Sequence, residues 1–179
     1  MRSEERAQSF GEVFTPEETV EDMLSMLPQE TFDPLTTFLE PSCGNGNFLV
    51  AILERKLQNI SNDKTPSELK MECVLALGSI YGVDIEEENV AEARDRMFDK
   101  LRSFVGDQLT SEKDFFDTCL EIVSSNIVVG DALGGANQVS LVRYRKTSYS
   151  TVDREVFFLE QPEMDLFFQQ PKPMPPILL

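Results

Sequence analysis

Hydrophobic residues along this chain change period several times, and the changes mark its elements. Val20, Met23, Leu24 and Leu27 recur at helical spacing and stop at Pro28. The run begins with Thr15-Pro16-Glu17-Glu18, where a capping hydroxyl, a proline at the first helical position and two carboxylates favour a helix start. Residues 36–40 are short and rich in strand formers, 41–47 read as a tight turn, and Phe48 to Leu57 reads as a helix. Residues 58–67 are expected to be loop, Leu69 to Leu77 a short helix and Ser79 to Ile85 a buried strand. Glu86 to Val105 is a long helix, acidic at its front, with Arg94, Arg96, Lys100 and Arg102 toward its back. Phe115 to Val123 is a further helix and Asn126 to Gly130 a strand. Strands alternating with helices predict an open parallel sheet with both faces covered.

Beyond residue 133 the pattern changes. Val139 to Tyr144 and Glu155 to Glu160 predict a hairpin around a turn at Lys146–Asp153, an insertion spanning 134–161. Met164-Asp165-Leu166-Phe167-Phe168 predicts one more apolar strand. The tail, 169–179, is proline-rich and not expected to hold regular structure alone.

Length and charge narrow the function. The chain has 179 residues, enough for a single domain with a real core, and a formal net charge of −16. Gripping a phosphate backbone needs a basic surface. The acidity fits a small-ligand binder, a subunit whose partner supplies positive charge, or an acidic decoy imitating nucleic acid. It also fits a merely well-solvated surface. There is no histidine, which removes the commonest general base and every Ser-His nucleophile. Cys43, Cys73 and Cys119 are too scattered to suggest a zinc site, so no metal is expected, and a reduced, cytoplasmic protein is the simplest reading. The N-terminal segment does not read as a signal peptide, and no apolar run approaches the ~20 residues of a membrane helix.

Three strand ends carry candidate chemistry. Leu39-Glu40-Pro41-Ser42-Cys43-Gly44-Asn45-Gly46-Asn47-Phe48-Leu49 places a Gly-x-Gly turn between strand and helix, where backbone can approach a ligand closely. It is equally compatible with a plain strand-to-helix connection. Asp84 closes Ile80-Tyr81-Gly82-Val83-Asp84, and an acid there can accept hydrogen bonds from both hydroxyls of a ribose or cap the helix beginning at Glu86. Asn126 to Gly130 ends in Asp131, which can meet an adenine amino group while Ala132 and Leu133 pack on the ring.

In this order, Glu40 to Leu49, Gly82-Val83-Asp84-Ile85 and Gly130-Asp131-Ala132-Leu133, preceded by Gly11-Glu12-Val13-Phe14-Thr15-Pro16, resemble the adenine-specific DNA methyltransferases of restriction–modification systems. The likeness covers roughly residues 9–133. It implies a Rossmann-like class I S-adenosylmethionine-dependent methyltransferase fold, present up to the fourth central strand and carrying the hairpin as an insertion. It implies that residues 1–28 close over the cofactor. Phe14, Thr15 and Pro16 would line its methionine end. The loop from Glu40 through Pro41, Cys43, Gly44 and Asn45 to Gly46 would lie beneath the carboxylate and sulfonium. Asp84 would hold the ribose, with Ile85 against the adenine. Asp131 would contact the adenine amine, with Ala132 and Leu133 beside it. Cys43 would be a small loop residue, not a nucleophile.

The resemblance fails at the catalytic tetrapeptide, Asn/Asp-Pro-Pro-aromatic, which holds the target amine and stacks on a base flipped out of the duplex. By register after residue 168, Gln170 stands where the polar residue belongs, Pro171 follows, and Lys172 and Pro173 replace the second proline and the ring. Loss of base stacking costs roughly 1–3 kcal/mol per base. A sheet ending at its fourth strand would expose an apolar edge, needing a partner chain, a second copy or the tail to cover it. Three readings follow: an enzyme that reaches DNA only with a partner subunit or further domain, an inactive cofactor-binding protein of phage origin that acts on a restriction–modification system, or a marginally stable fragment without activity.

Overall fold

The apolar run near residue 80 becomes the centre of the molecule. The computed structural model describes residues 14–109, 112–132, 139–148, 150–159 and 172–178. Ile80–Asp84 forms β2, buried along its whole length. It pairs in parallel with β1 (Phe38–Glu40) on one side and β3 (Ile127–Val129) on the other, giving the order β1-β2-β3 among the described residues. A strand covered on both faces needs apolar side chains on both, hence the unbroken run.

Helices make the crossovers. α1 (Glu17–Ser25) precedes the sheet; α2 (Asn47–Gln58) and α3 (Pro66–Gly78) join β1 to β2; α4 (Glu87–Val105) and α5 (Lys113–Asn126) join β2 to β3. Leu49, Leu53 and Leu57 of α2, Met71, Val74 and Leu77 of α3, Met97 and Leu101 of α4, and Cys119 and Ile122 of α5 share one core. The three cysteines are free and buried. An α/β body of this kind fits a methyltransferase-like fold.

Several element ends differ from expectation. α3 starts three residues early because Thr65 and Glu68 close a capping box: the Glu68 N–H donates to Thr65 Oγ1 at 3.3 Å and the Thr65 N–H to Glu68 Oε2 at 2.9 Å. Thr15 does not cap α1; Pro16 holds that position with no side-chain bond. Asn126 ends α5 rather than opening β3. It is buried, its amide donates to the Gly78 carbonyl at 3.2 Å, and its Oδ1 accepts from the Val142 N–H at 2.9 Å.

The predicted hairpin is longer than expected and gains a third strand. β4 (Val139–Lys146) and β5 (Thr151–Leu159) pair antiparallel, and β6 (Lys172–Leu178) pairs antiparallel with β5. The proline-rich tail, not expected to hold regular structure alone, is a strand in part through its pairing with β5. Its position at the sheet's edge explains how: prolines that donate no ladder bond are tolerated there. Val152 pairs with Ile177 and Arg154 with Met174, so Pro175 and Pro176 both oppose Asp153 in a bulge. Arg154 Nε donates to the Pro175 carbonyl at 2.6 Å, supplying a partner for that oxygen. The hairpin lies on a face of the parallel sheet. Val139, Leu141 and Phe157 pack on Tyr81 and Val83 of β2, with Phe157 edge-on to Tyr81 at 5.4 Å. The strand predicted at 164–168 falls outside the described residues.

One cation is carried into the core. Lys56 of α2 is fully buried, and its Nζ donates to the Asp33 carbonyl at 2.7 Å and the Thr36 carbonyl at 2.6 Å, beside the Phe38 ring. These bonds hold the loop that feeds β1. Burial pushes the ammonium down from 10.5 to about 8, opposed by the Asp33 carboxylate.

Two outcomes are expected. Ile177 is buried on β6, so Ile177→Ala should cost about 2 kcal/mol in urea denaturation, against less than about 0.5 kcal/mol for Leu120→Ala on the exposed face of α5. Between pH 8 and 10.5 the unfolded chain still binds the Lys56 proton that the folded chain has released, so Lys56 favours folding increasingly as pH rises. The stability of the unsubstituted chain relative to Lys56→Met should therefore improve from pH 8 to pH 10; a constant gap would contradict the buried cation.

Candidate functional site

The carboxyl ends of β1 and β2 open on a cleft of about 350 Å³. Its floor is the turn between β1 and α2. The Cys43 N–H donates to the Val83 carbonyl at 2.9 Å, tying the turn to β2, and the Gly46 N–H donates back to the Cys43 carbonyl at 2.9 Å. The two glycines do different work. Gly44, at φ +51°, lies under Phe14, whose ring carbons would be 3.1 Å from any Cβ. Gly46, at φ +87°, is buried against α4, where a Cβ would meet the Ala93 Cβ at 2.9 Å. Gly44 thus lines the cleft, whereas Gly46 lets α4 approach the start of α2.

Asp84 is buried at the tip of β2 and faces this turn. Its Oδ2 accepts the Gly44 N–H at 2.7 Å; its Oδ1 accepts the Glu86 N–H at 3.0 Å and the Asn89 amide at 3.3 Å. Of the roughly four acceptor positions of a carboxylate, three are used by the described residues. Among the described residues the position left over is on Oδ2, beside the cleft.

One stripe of α4 is given over to the turn. Asn89, Glu92, Ala93 and Arg96 follow helical spacing along a single face. Asn89 reaches Asp84, Glu92 accepts from the Asn45 amide at 3.1 Å, Ala93 abuts Gly46, and Arg96 Nη1 donates to the Asn45 carbonyl at 2.8 Å and to Asn47 Oδ1 at 2.7 Å. The Asn47 amide in turn donates to the Thr15 carbonyl at 2.8 Å.

The cleft is electronegative. Glu40 closes β1 at its rim, where burial raises its pKa and the Ser42 N–H partly offsets that. Burial, with Asp84 and Glu40 nearby, pushes the Cys43 thiol up to about 12, so it stays neutral and is no nucleophile at physiological pH. The first turn of α2 borders the cleft through Asn47 and Phe48, presenting the positive end of a helix.

Of the residues singled out from sequence, Phe14, Thr15, Glu40, Cys43, Gly44, Asn45 and Asp84 line one cavity. Pro16, Pro41 and Gly46 are not part of that lining. Ile85 stands beyond Asp84 with 68% of its surface exposed. The Gly130 N–H donates to the Asp84 carbonyl at 2.8 Å, bringing that strand end to the tip of β2; Asp131 is exposed and Ala132 packs toward the hairpin. Leu133, Gln170 and Pro171 lie outside the described residues. Ser42, inside the loop expected to border the site, also lines it; sequence reasoning missed Asn47 and Phe48 in the lining, and Asn89, Glu92 and Arg96 behind it. The spacing of the last three with Ala93 was the signal that could have found them. Among the described residues no group of three acidic or thiol side chains is arranged to hold a metal, and no helix is long and apolar enough to cross a membrane.

The cleft lies at the carboxyl ends of parallel strands, with a glycine turn on one and an acid on the next, the place where open α/β sheets receive ligands. In sequence the chain is similar to the type II methyltransferase M.VspI of Vibrio sp. (strain 343), with 25% identity over 162 residues, 87% of this chain and 34% of that protein. The chain thus spans about a third of the length of that relative. No family model and no solved structure matches.

Gly46→Ala combines left-handed strain with a clash, and should cost about 2–4 kcal/mol. In an Ala93→Gly background its cost should fall by about 1 kcal/mol, measured as a double-mutant cycle by thermal denaturation; strict additivity would mean the two residues do not touch.

Proposed function

We propose that this chain is the S-adenosylmethionine-binding part of a site-specific adenine DNA methyltransferase, and that it acts on DNA only with a partner subunit or further domain. The observation that carries the reading is the convergence of Phe14, the Gly44 turn and Asp84 on one acidic cleft at the carboxyl end of a parallel sheet. The residues present suit the cofactor's chemistry. A sulfonium cation is favoured between the Glu40 and Asp84 carboxylates and the Phe14 and Phe48 rings. A carboxylate is favoured at the α2 N-terminus. The open acceptor position on Asp84 takes one ribose hydroxyl, and exposed Ile85 offers an apolar platform for the adenine. Asp131 stands on the neighbouring strand end to accept from the adenine amine. When bound, the cofactor supplies an electrophilic methyl group; the residues of this chain bind and orient it.

DNA engagement needs help from elsewhere. A net charge of −16 opposes approach to a phosphate backbone, and the Gln170-Pro171-Lys172-Pro173 sequence lacks the aromatic ring that would stack on a flipped adenine.

Calorimetric titration with S-adenosylmethionine should show binding in the micromolar range. Ile85→Ala should weaken it about tenfold, as expected for removing the apolar contact of an exposed side chain, with no change in melting temperature. Absence of heat with the unsubstituted chain would end the cofactor reading. Incubated alone with labelled cofactor and unmethylated duplex, the chain should transfer no methyl group.

A further inference from the structure

We propose that Arg96 of α4 is a positioning residue: acting through Asn47, it fixes the strap of Phe14 and Thr15 over the glycine turn without lining the cleft itself. The strap's importance for cofactor affinity rests on the function proposed above; the strap's attachment does not. The inference turns on an amide orientation. Asn47 Oδ1 accepts from the Arg96 guanidinium at 2.7 Å, which leaves its amide nitrogen aimed at the Thr15 carbonyl, 2.8 Å away. Rotating that amide would set donor against donor at Arg96 and oxygen against oxygen at Thr15. The guanidinium, always charged and without any acceptor, therefore dictates which end of Asn47 meets the strap. Nη1 also holds the Asn45 carbonyl at 2.8 Å, so one group fixes both the turn and the residue that holds the strap.

Asn47 is the wall between two cavities. On one side is the cleft; on the other is a cavity of about 190 Å³ bordered by Arg96, Lys100 and Glu17. Arg96 thus acts from behind the wall. Glu17 lies 3.7 Å from Nη2 but is 84% exposed, so it adds little to holding the guanidinium. The Phe14 ring rests on Gly44, a contact that a strap released from Asn47 has nothing else to enforce among these bonds.

The chain has no tryptophan, so Phe14→Trp introduces a single reporter on the strap. Without ligand, adding Arg96→Met or Asn47→Ala should raise the open-to-closed ratio of the strap by roughly tenfold. This is read as a red-shifted indole emission and stronger acrylamide quenching. The double substitution should do no more than either alone, because the two residues form one relay. Arg96→Lys should rescue only in part, since an ammonium does not reproduce the planar fork. Unchanged emission in Arg96→Met, or additive effects in the double variant, overturns the proposal. Hydrogen exchange on the chain with Phe14 intact gives an independent check. Arg96→Met should speed exchange in the first turn of α1, where the Val20 N–H bonds to the Pro16 carbonyl, while the Leu53 amide in α2 stays protected; equal acceleration of both means general destabilisation and overturns it. With S-adenosylmethionine as probe, Arg96→Met should lower affinity about tenfold. A chain that binds no S-adenosylmethionine yet shows the indole response removes the cofactor reading and supports the strap assignment.

Discussion

The Asp84 carboxylate is the fixed point of the working end of this molecule. It sits at the tip of a fully buried strand and receives N–H groups from two directions, Gly44 in the turn after β1 and Glu86 at the entrance to α4. A buried charge must be hydrogen-bonded to be tolerated, and these donors, with the Asn89 amide, do that. One consequence is that the turn, the strand tip and the helix are located relative to one another before any ligand arrives. A second is that Asp84 has little acceptor capacity left, so a ligand is met by a preorganised group.

The rest of the body serves this arrangement. α4 lays one stripe of side chains along the turn, and the absence of a side chain at Gly46 lets that stripe come close. Lys56 holds the loop before β1 through two carbonyls from inside the core. On a face of the sheet, the hairpin β4–β5 packs on Tyr81 and Val83 where a helix is the usual cover for a parallel sheet. The proline-bearing strand β6 extends that hairpin into a second sheet, and the ion pair of Arg154 with Glu121 ties it to α5.

Charge divides the labour of the proposed enzyme in physical terms. Carboxylates near the cleft attract a sulfonium over short range, whereas the same sign over the whole chain repels a polyanion over long range. On the proposed function, that division assigns cofactor holding to this chain and DNA holding to a partner.

Much of the parallel unit was legible in the chain itself. Strand β2, the glycine turn, the long helix after Asp84 and the hairpin follow from apolar periodicity and turn residues, because these depend on neighbours in sequence. Phe14, Gly44 and Asp84 were recognisable as a set from their motifs. What sequence could not determine was which bonds they make. The split between Gly44 under Phe14 and Gly46 against Ala93, the threefold use of Asp84, and the Arg96–Asn47–Thr15 relay all join residues distant in the chain. The tail shows the same limit: prolines argue locally against a strand, and only an edge position beside β5, with Ile177 buried, makes one favourable. Local pattern thus determined the elements and the chemical groups available, while tertiary packing decided their partners, since a hydrogen bond or a contact depends on distances that only the folded chain supplies.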